Sequence, residues 1–168
     1  MYRYDGVVER ARGSVRIGVI SDTHGLLRPE ALRTLRGSSL IVHAGDIGTD
    51  DVLTALRTIA PVVAVRGNND HGAWARALDE HRTFDVGRVR LHVTHDIKAL
   101  TIDPAADGVH VVIAGHSHRP LRERRAGVLF LNPGSAGPRR FSLPITVARL
   151  VIAGSRVQAR IVPLVLAA

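Results

Sequence analysis

The chain has 168 residues, 45% of them hydrophobic, a size and composition that suit one domain able to bury its own core. It has no Cys, which excludes disulfides and thiolate metal sites and suits a reducing, cytoplasmic setting; its longest apolar runs are strand-length, far short of the ~20 residues a membrane span needs. A net charge of +8 raises nucleic acid as a partner, but only Lys98 is a lysine among the 23 cationic residues, and the arginines are scattered except at Arg119, Arg122, Arg124 and Arg125 and at Arg139-Arg140.

Residues 1–14 are polar and Arg-bearing, without the central apolar stretch of a signal peptide, and contain Gly6 and Gly13. They are expected to form a poorly ordered N-terminal extension ahead of a single domain spanning 15–168. Val15 to Ile20 is a short β-branched run, and it delivers Ser21-Asp22-Thr23-His24-Gly25 at its end. Pro29 opens a helix to Arg36 with Ala31, Leu32 and Leu35 on one face and Gly37 as its stop.

The pattern repeats. Leu40-Ile41-Val42 leads into His43-Ala44-Gly45-Asp46, and Thr49 is placed to cap a helix carrying Val52, Leu53, Leu56 and Ile59 up to Pro61. Val62 to Val65 ends in Arg66-Gly67-Asn68-Asn69-Asp70, and a short helix is expected over 73–78. Phe84 to Val86 and Val89 to Val93, split by Gly87-Arg88, read as a hairpin whose second arm ends in Thr94-His95-Asp96. Residues 97–107 carry no clear pattern. Val109 to Ala114 runs into Gly115-His116-Ser117-His118, Gly127 to Leu131 into Asn132-Pro133-Gly134-Ser135, and two last strands, Ile145 to Ile152 and Arg156 to Leu166, meet at Ala153-Gly154-Ser155. Strands alternating with helices early and hairpins late imply two packed sheets with helices outside.

Five strand ends therefore carry oxygen and nitrogen donors: Asp22 and His24, Asp46, Asn68, His95, and His116 with His118. In open α/β sheets ligands collect beyond the carboxyl ends of the strands, so these ends point at one crevice. Seven donors exceed what one tetrahedral ion needs, and a carboxylate can bridge two ions about 3.5–4 Å apart. Imidazole mixed with carboxylate and amide suits Mn²⁺, Fe²⁺, Ni²⁺ or Zn²⁺ better than Ca²⁺. Such a pair can clamp a phosphoryl group and activate a water, so no Ser or Cys nucleophile is required.

Asp-Thr-His, Gly-Asp, Gly-Asn-Asn-Asp, a strand-end His and Gly-His-Ser-His, in that order, resemble the calcineurin-like metallophosphoesterases, and the small size and Asn-Pro-Gly-Ser loop resemble their compact bacterial and archaeal phosphodiesterase branch. The resemblance implies a four-layer αββα sandwich of two mixed sheets. It implies one metal ion held by Asp22, His24, Asp46 and His118, and a second held by Asp46, Asn68, His95 and His116, with Mn²⁺ the first choice and Ni²⁺, Fe²⁺ or Zn²⁺ the others. The expected activity is a metal-dependent phosphoesterase, hydrolysing phosphodiesters in preference to monoesters by a metal-activated water.

Two positions depart from the family pattern. Asn69 stands where many relatives have a His that contacts phosphate, and an amide cannot be an ordinary general acid, so substrates with good leaving groups are expected. Asp96 stands where relatives often have Gly. Asn69 and Asp70 are the catalytic candidates, by phosphate contact or by ordering the loop, and Asn69 and Arg139 are the substrate-binding candidates. His43 reads equally as a packed and as a functional residue, while His71, His81, His92 and His110 read as non-catalytic. The expected partner is a phosphorylated small molecule or phosphodiester, with no membrane and with a homo-oligomer left open. The alternatives are a non-catalytic scaffold, since the fold also resembles the retromer subunit that docks partners through its surface, and a nuclease or nucleic-acid-binding protein.

Overall fold

The computed structural model describes residues 13–166, so the expected N-terminal extension lies outside the described residues apart from Gly13 and Ser14. Ten strands form two five-stranded mixed sheets. The first contains β1 (Val15–Ile20), β2 (Leu40–His43), β3 (Val62–Ala64), β9 (Thr146–Ala153) and β10 (Arg156–Pro163) in the order β10-β9-β1-β2-β3. The second contains β4 (His81–Val86), β5 (Val89–Thr94), β6 (Val111–Ile113), β7 (Leu121–Arg125) and β8 (Val128–Asn132) in the order β4-β5-β6-β8-β7. Strands β1, β2 and β3 run parallel, as do β5, β6 and β8, while β9 lies antiparallel beside β1, and β10, β4 and β7 are the antiparallel hairpin partners of β9, β5 and β8. All six parallel strands therefore present their C-terminal ends at one edge of the sandwich.

The core between the sheets follows from the alternation along each strand. Val15, Ile17 and Val19 of β1 meet Leu91, Val93, Val111 and Ile113 of the other sheet. The opposite face of the first sheet, through Ile20, Ile41 and Val62, is covered by α1 (Pro29–Leu35), α2 (Asp50–Arg57) and α3 (Ala73–Arg76), through Trp74, with Leu78 beyond it. Leu35, Leu53 and Leu56 are wholly enclosed there, each contributing about 1.5–3 kcal/mol by leaving water. Thr49 does occupy the residue before α2, but its hydroxyl makes no capping hydrogen bond; Asp50 and Asp51 in the first turn and Arg57 in the last instead complement the helix dipole.

The fourth layer is thin. Over the outer face of the second sheet, Val109, Val112, Val128 and Phe130 are covered by Ile97 and Ile102 from the connecting segment 97–108, whose only helical part is a 3-10 turn at Ile97–Ala99. Among the described residues no helix is long and apolar enough to cross a membrane.

Strand β7 is absent from the sequence expectation because Leu-Arg-Glu-Arg-Arg has no apolar alternation. Its arginines have a structural task. Arg122 Nη1 donates to Ala159 O at 3.0 Å and Arg124 Nη2 to Val157 O at 3.3 Å, covering carbonyls on the free edge of β10. A groove of about 660 Å³, lined by these two residues with Arg149 and Arg160, lies along that edge and contains none of the expected metal ligands.

Candidate metal centre

Backbone hydrogen bonds fasten the loops beyond the parallel strands to one another. Asp22 N donates to Gly45 O at 3.0 Å, His24 N to Asp46 O at 2.9 Å and Gly115 N to His95 O at 2.9 Å. The loops are thus fixed relative to one another before any side chain is considered. Asp22, His24, Asp46, His116 and His118 all have left-handed backbones, with φ between 47° and 65°. Non-glycine residues pay on the order of 1 kcal/mol or more for this conformation, and here it turns side chains of successive loops into one volume.

All seven expected ligands meet in that volume, in two groups. In the first, His118 Nε2 lies 3.2 Å from Asp22 Oδ1 and 3.4 Å from His24 Nε2, and His24 Nε2 lies 3.8 Å from Asp46 Oδ2. In the second, Asn68 Oδ1 lies 3.1 Å from both His95 Nε2 and His116 Nδ1, and His95 Nε2 lies 3.4 Å from Asp46 Oδ1. Asp46 thus turns one carboxylate oxygen to each group. Considering acidic and imidazole donors alone, Asp22, His24 and His118 form one cluster and Asp22, Asp46 and His95 another, so Asp22 also stands within reach of the second group.

These residues fit a divalent cation. Donors bound to one ion at about 2.1 Å stand about 3.0–3.4 Å apart in octahedral or tetrahedral arrangements, which is the spacing of the second group and of His118 with Asp22 and His24, while His24 stands wider, at 3.8 Å, from Asp46. Asp22 Oδ1 is buried and has no hydrogen-bond donor among the described residues, a costly condition for a carboxylate that a cation would relieve. The Nδ1 of His95 lies 2.7 Å from Ala44 O, which can only accept, so Nδ1 carries the proton and the Nε2 lone pair faces Asn68 and Asp46.

Surrounding residues hold the donors in place. Ser21 Oγ donates to Asp22 Oδ2 at 2.5 Å and His116 N reaches the same oxygen at 3.2 Å. Asn69 donates to Asp46 twice, from its backbone N to Oδ1 at 2.9 Å and from Nδ2 to Oδ2 at 2.7 Å. Asp70 is buried and accepts from Gly48 N and Gly67 N, both at 2.8 Å, tying the second loop to the third. Asp96 caps the 3-10 turn through Lys98 N, and its other oxygen lies 3.9 Å from His116 Nε2. Glycine is required sterically at two of these positions. A Cβ on Gly67 would sit 2.2 Å from Asp46 N and Oδ1, and one on Gly115 would sit 1.9 Å from Ser21 Oγ.

Protonation follows burial and charge. For Asp46, desolvation is the largest single influence and pushes its pKa up, but the adjacent His95 ring and the hydrogen bonds from Asn69 together win and hold it well below the usual carboxylate range. At His95 desolvation likewise opposes the charged form, yet Asp46, Ala44 and Asp22 together raise its pKa. His24 is lowered, chiefly by burial, with Arg140 and His118 adding to the effect against Asp46 and Asp22.

His43 is fully buried, and burial lowers its pKa to about 4 despite the attraction of Asp22 and Asp70. The Thr23 hydroxyl donates to Ile47 O at 2.8 Å and so accepts from His43 Nε2 at 2.9 Å. His43 therefore braces the Asp22-Thr23-His24 loop through Nε2, while its buried Nδ1 has no hydrogen-bond partner among the described residues. Asn132, read from sequence only as part of a turn, donates to Gly115 O at 2.7 Å and Ser117 Oγ at 3.1 Å, fixing the Gly-His-Ser-His loop. Arg139 is exposed on the loop between β8 and β9; the arginine whose charge reaches His24 is its neighbour Arg140. A cleft of about 370 Å³ opens beside the second group, lined by Arg66, Asn68, His95, Asp96, Thr101 and His116.

Residues 15–155 match the calcineurin-like phosphoesterase superfamily domain. The chain belongs to this family. A probable metallophosphoesterase of Methanothermobacter thermautotrophicus is 38% identical over 160 residues, covering 87% of this chain and 91% of that protein. A phosphodiesterase of Methanocaldococcus jannaschii is 27% identical over 138 residues, covering 71% of this chain and 83% of its own length. Among solved structures, Vacuolar Protein Sorting 29 of Cryptosporidium parvum superposes with a TM-score of 0.73 at 16% identity, covering 89% of this chain and 97% of that one, a likeness of fold. Metallophosphoesterase membership accounts for the convergence of seven donors on strand ends that share no sequence neighbourhood.

Proposed function

We propose that this metallophosphoesterase hydrolyses phosphodiesters with two divalent cations, manganese by preference, in the cytoplasm. The observation that carries the reading is the division of the donors into two groups joined by Asp46, whose two oxygens face opposite ways. Asp22, His24, Asp46 and His118 would hold one cation, and Asp46, Asn68, His95 and His116 the other. When bound, the cations supply a water of lowered pKa and positive charge against the phosphoryl oxygens.

The chain's own residues supply position and exclusion. Asn69 holds both oxygens of Asp46, so the shared carboxylate cannot rotate towards either group alone. His95 is fixed in one tautomer by Ala44 O, and Asp22 by Ser21 and the backbone of His116. The exposed side of the centre is at His116 and Asn68, where the 370 Å³ cleft gives a phosphoryl group access. With an amide at position 69, the departing oxygen takes its proton from solvent, and esters of acidic alcohols are the better substrates.

The named phosphodiesterase relative supports diesters over monoesters. The scaffold alternative draws on the likeness to Vacuolar Protein Sorting 29, but a scaffold has no need for seven converging donors, five of them on strained backbone. Metal analysis of the purified protein, with matched phosphomonoester and phosphodiester substrates under Mn²⁺ and Ni²⁺, tests the proposal. Two ions per chain and faster diester turnover are expected; a single ion, or faster monoester turnover, refutes it.

A further inference from the structure

The cleft beside the second donor group has walls of a distinct kind. Asn68, His95 and His116 belong to its lining, so whatever fills it adjoins the metal centre. Its volume of about 370 Å³ lies in the range of small-molecule sites, which are usually lined by apolar and aromatic side chains. Here the apolar lining is Gly67 and Ala99 alone, and no Phe, Tyr or Trp borders the space. Arg66, Glu80, His81, Thr94, Asp96 and Thr101 make up the rest. A ligand in this cleft therefore meets hydrogen-bonding groups in place of an apolar or stacking surface.

Two carboxylates on these walls are anchored with one oxygen to spare. Asp96 Oδ1 accepts from Lys98 N at 2.9 Å, which fixes the group at the start of the 3-10 turn, while Oδ2 receives no hydrogen bond among the described residues and lies 3.9 Å from His116 Nε2. Glu80 accepts from Arg66 Nη2 on Oε1, and Arg66 N donates to Asp79 O at 2.8 Å, so this pair is tied to the loop that carries Asn68. The Thr101 hydroxyl has no partner among the described residues. Ionised carboxylates can only accept, and they repel a second anionic group on the ligand. The charge of Arg66 is already met by Glu80. What matches such walls is a neutral group with donors of its own, and the hydroxyl is the simplest.

We infer that the cleft is a polyol subsite, and that the ester group retained on the phosphate after hydrolysis carries hydroxyls on neighbouring carbons, as glyceryl and sugar esters do. Asp96 Oδ2 accepts from one hydroxyl, Thr101 bonds to another, and Glu80 turns away anionic substituents. All three are specificity residues, placed beside the donors of the second group and separate from them. The assignment rests on the phosphodiesterase reading and extends it to the chemical class of the retained ester.

The test uses the manganese-loaded protein and three diesters that share p-nitrophenol as leaving group and differ in the retained ester, which is glyceryl, propyl or aminopropyl. In the wild type, kcat/KM for the glyceryl ester is expected to exceed that for the propyl ester about tenfold, the low end of what one hydrogen bond to a charged group is worth. Asp96→Ser keeps an acceptor for Lys98 N and removes the spare oxygen, and is expected to bring this ratio close to one. Any change in manganese affinity cancels, because metal and leaving group are common to the probes. Thr101→Val, at an exposed position, is expected to lower the ratio about threefold. A wild-type ratio near one, a faster aminopropyl ester, or a ratio that neither variant lowers overturns the inference. If the loaded wild type hydrolyses none of the three, the phosphodiesterase reading fails separately, and calorimetry with dihydroxybutylphosphonate and butylphosphonate, whose C–P bonds resist hydrolysis, decides the subsite. Tighter binding of the dihydroxy compound that is lost in Asp96→Ser supports it; equal affinities, or a difference that Asp96→Ser leaves unchanged, reject it.

Discussion

His43 is a buried imidazole that the fold keeps neutral, and this makes acid stability predictable. Burial lowers its pKa from 6.5 to about 4, whereas the unfolded chain protonates it near the ordinary value. Between about pH 6.5 and pH 4 the unfolded state thus binds more protons, and stability falls as the pH falls through that window, levelling off below it. At about 1.36 kcal/mol per pKa unit the full effect is about 3 kcal/mol, of which about 2 kcal/mol is lost between pH 7.5 and pH 5. The perturbation is His43→Gln, which removes the titration but keeps a donor for Thr23. The assay is urea unfolding of both proteins in chelator across this pH range, so that the other histidines contribute equally and cancel. The wild type is expected to lose about 2 kcal/mol more than the variant by pH 5. Parallel pH profiles would refute the assignment of His43 as a neutral buried brace.

Four other outcomes follow from the geometry. Asp46→Ala removes the carboxylate that both groups of donors face, and turnover of a phosphodiester under Mn²⁺ is expected to be abolished; retained turnover contradicts the two-cation mechanism. Gly67→Ala places a methyl group against Asp46 N and Oδ1, and manganese affinity measured by calorimetry is expected to drop at least about tenfold while the circular dichroism spectrum is retained. Asn69→His is expected to flatten the dependence of rate on leaving-group pKa across a series of aryl diesters; an equally steep series would mean that the missing general acid is not what limits poor substrates. The double variant Arg122→Ala/Arg124→Ala uncovers the Ala159 and Val157 carbonyls on the β10 edge, and light scattering is expected to report self-association absent from the wild type.

The strands were readable because buried parallel strands are nearly continuous apolar runs, as in Val15 to Ile20 and Val109 to Ala114. Strand β7 was not, since an edge strand whose side chains face solvent needs no apolar period. Thr49 shows the converse, a residue type that signals a cap where the folded chain makes none. The donor set was legible because each ligand follows a strand, whereas the left-handed backbone at Asp22, His24, Asp46, His116 and His118 was not, because Asp and His, though enriched at positive φ among side-chain-bearing residues, signal it far more weakly than Gly does. Nor could spacing reveal that Asn69 grips Asp46 or that Asn132 secures the Gly-His-Ser-His loop, because both depend on residues far away in the chain.

The five left-handed ligand positions make the centre an opponent of the fold that carries it. Conformational strain at Asp22, His24, Asp46, His116 and His118 is carried by the backbone itself, while the orphaned carboxylate oxygen on Asp22 is a cost that a bound cation would offset. Evolution could harvest that energy in one direction only. A descendant that abandoned hydrolysis could replace His24 or His116 with glycine and become more robust at once, while a descendant that kept it must go on spending stability at the same five places.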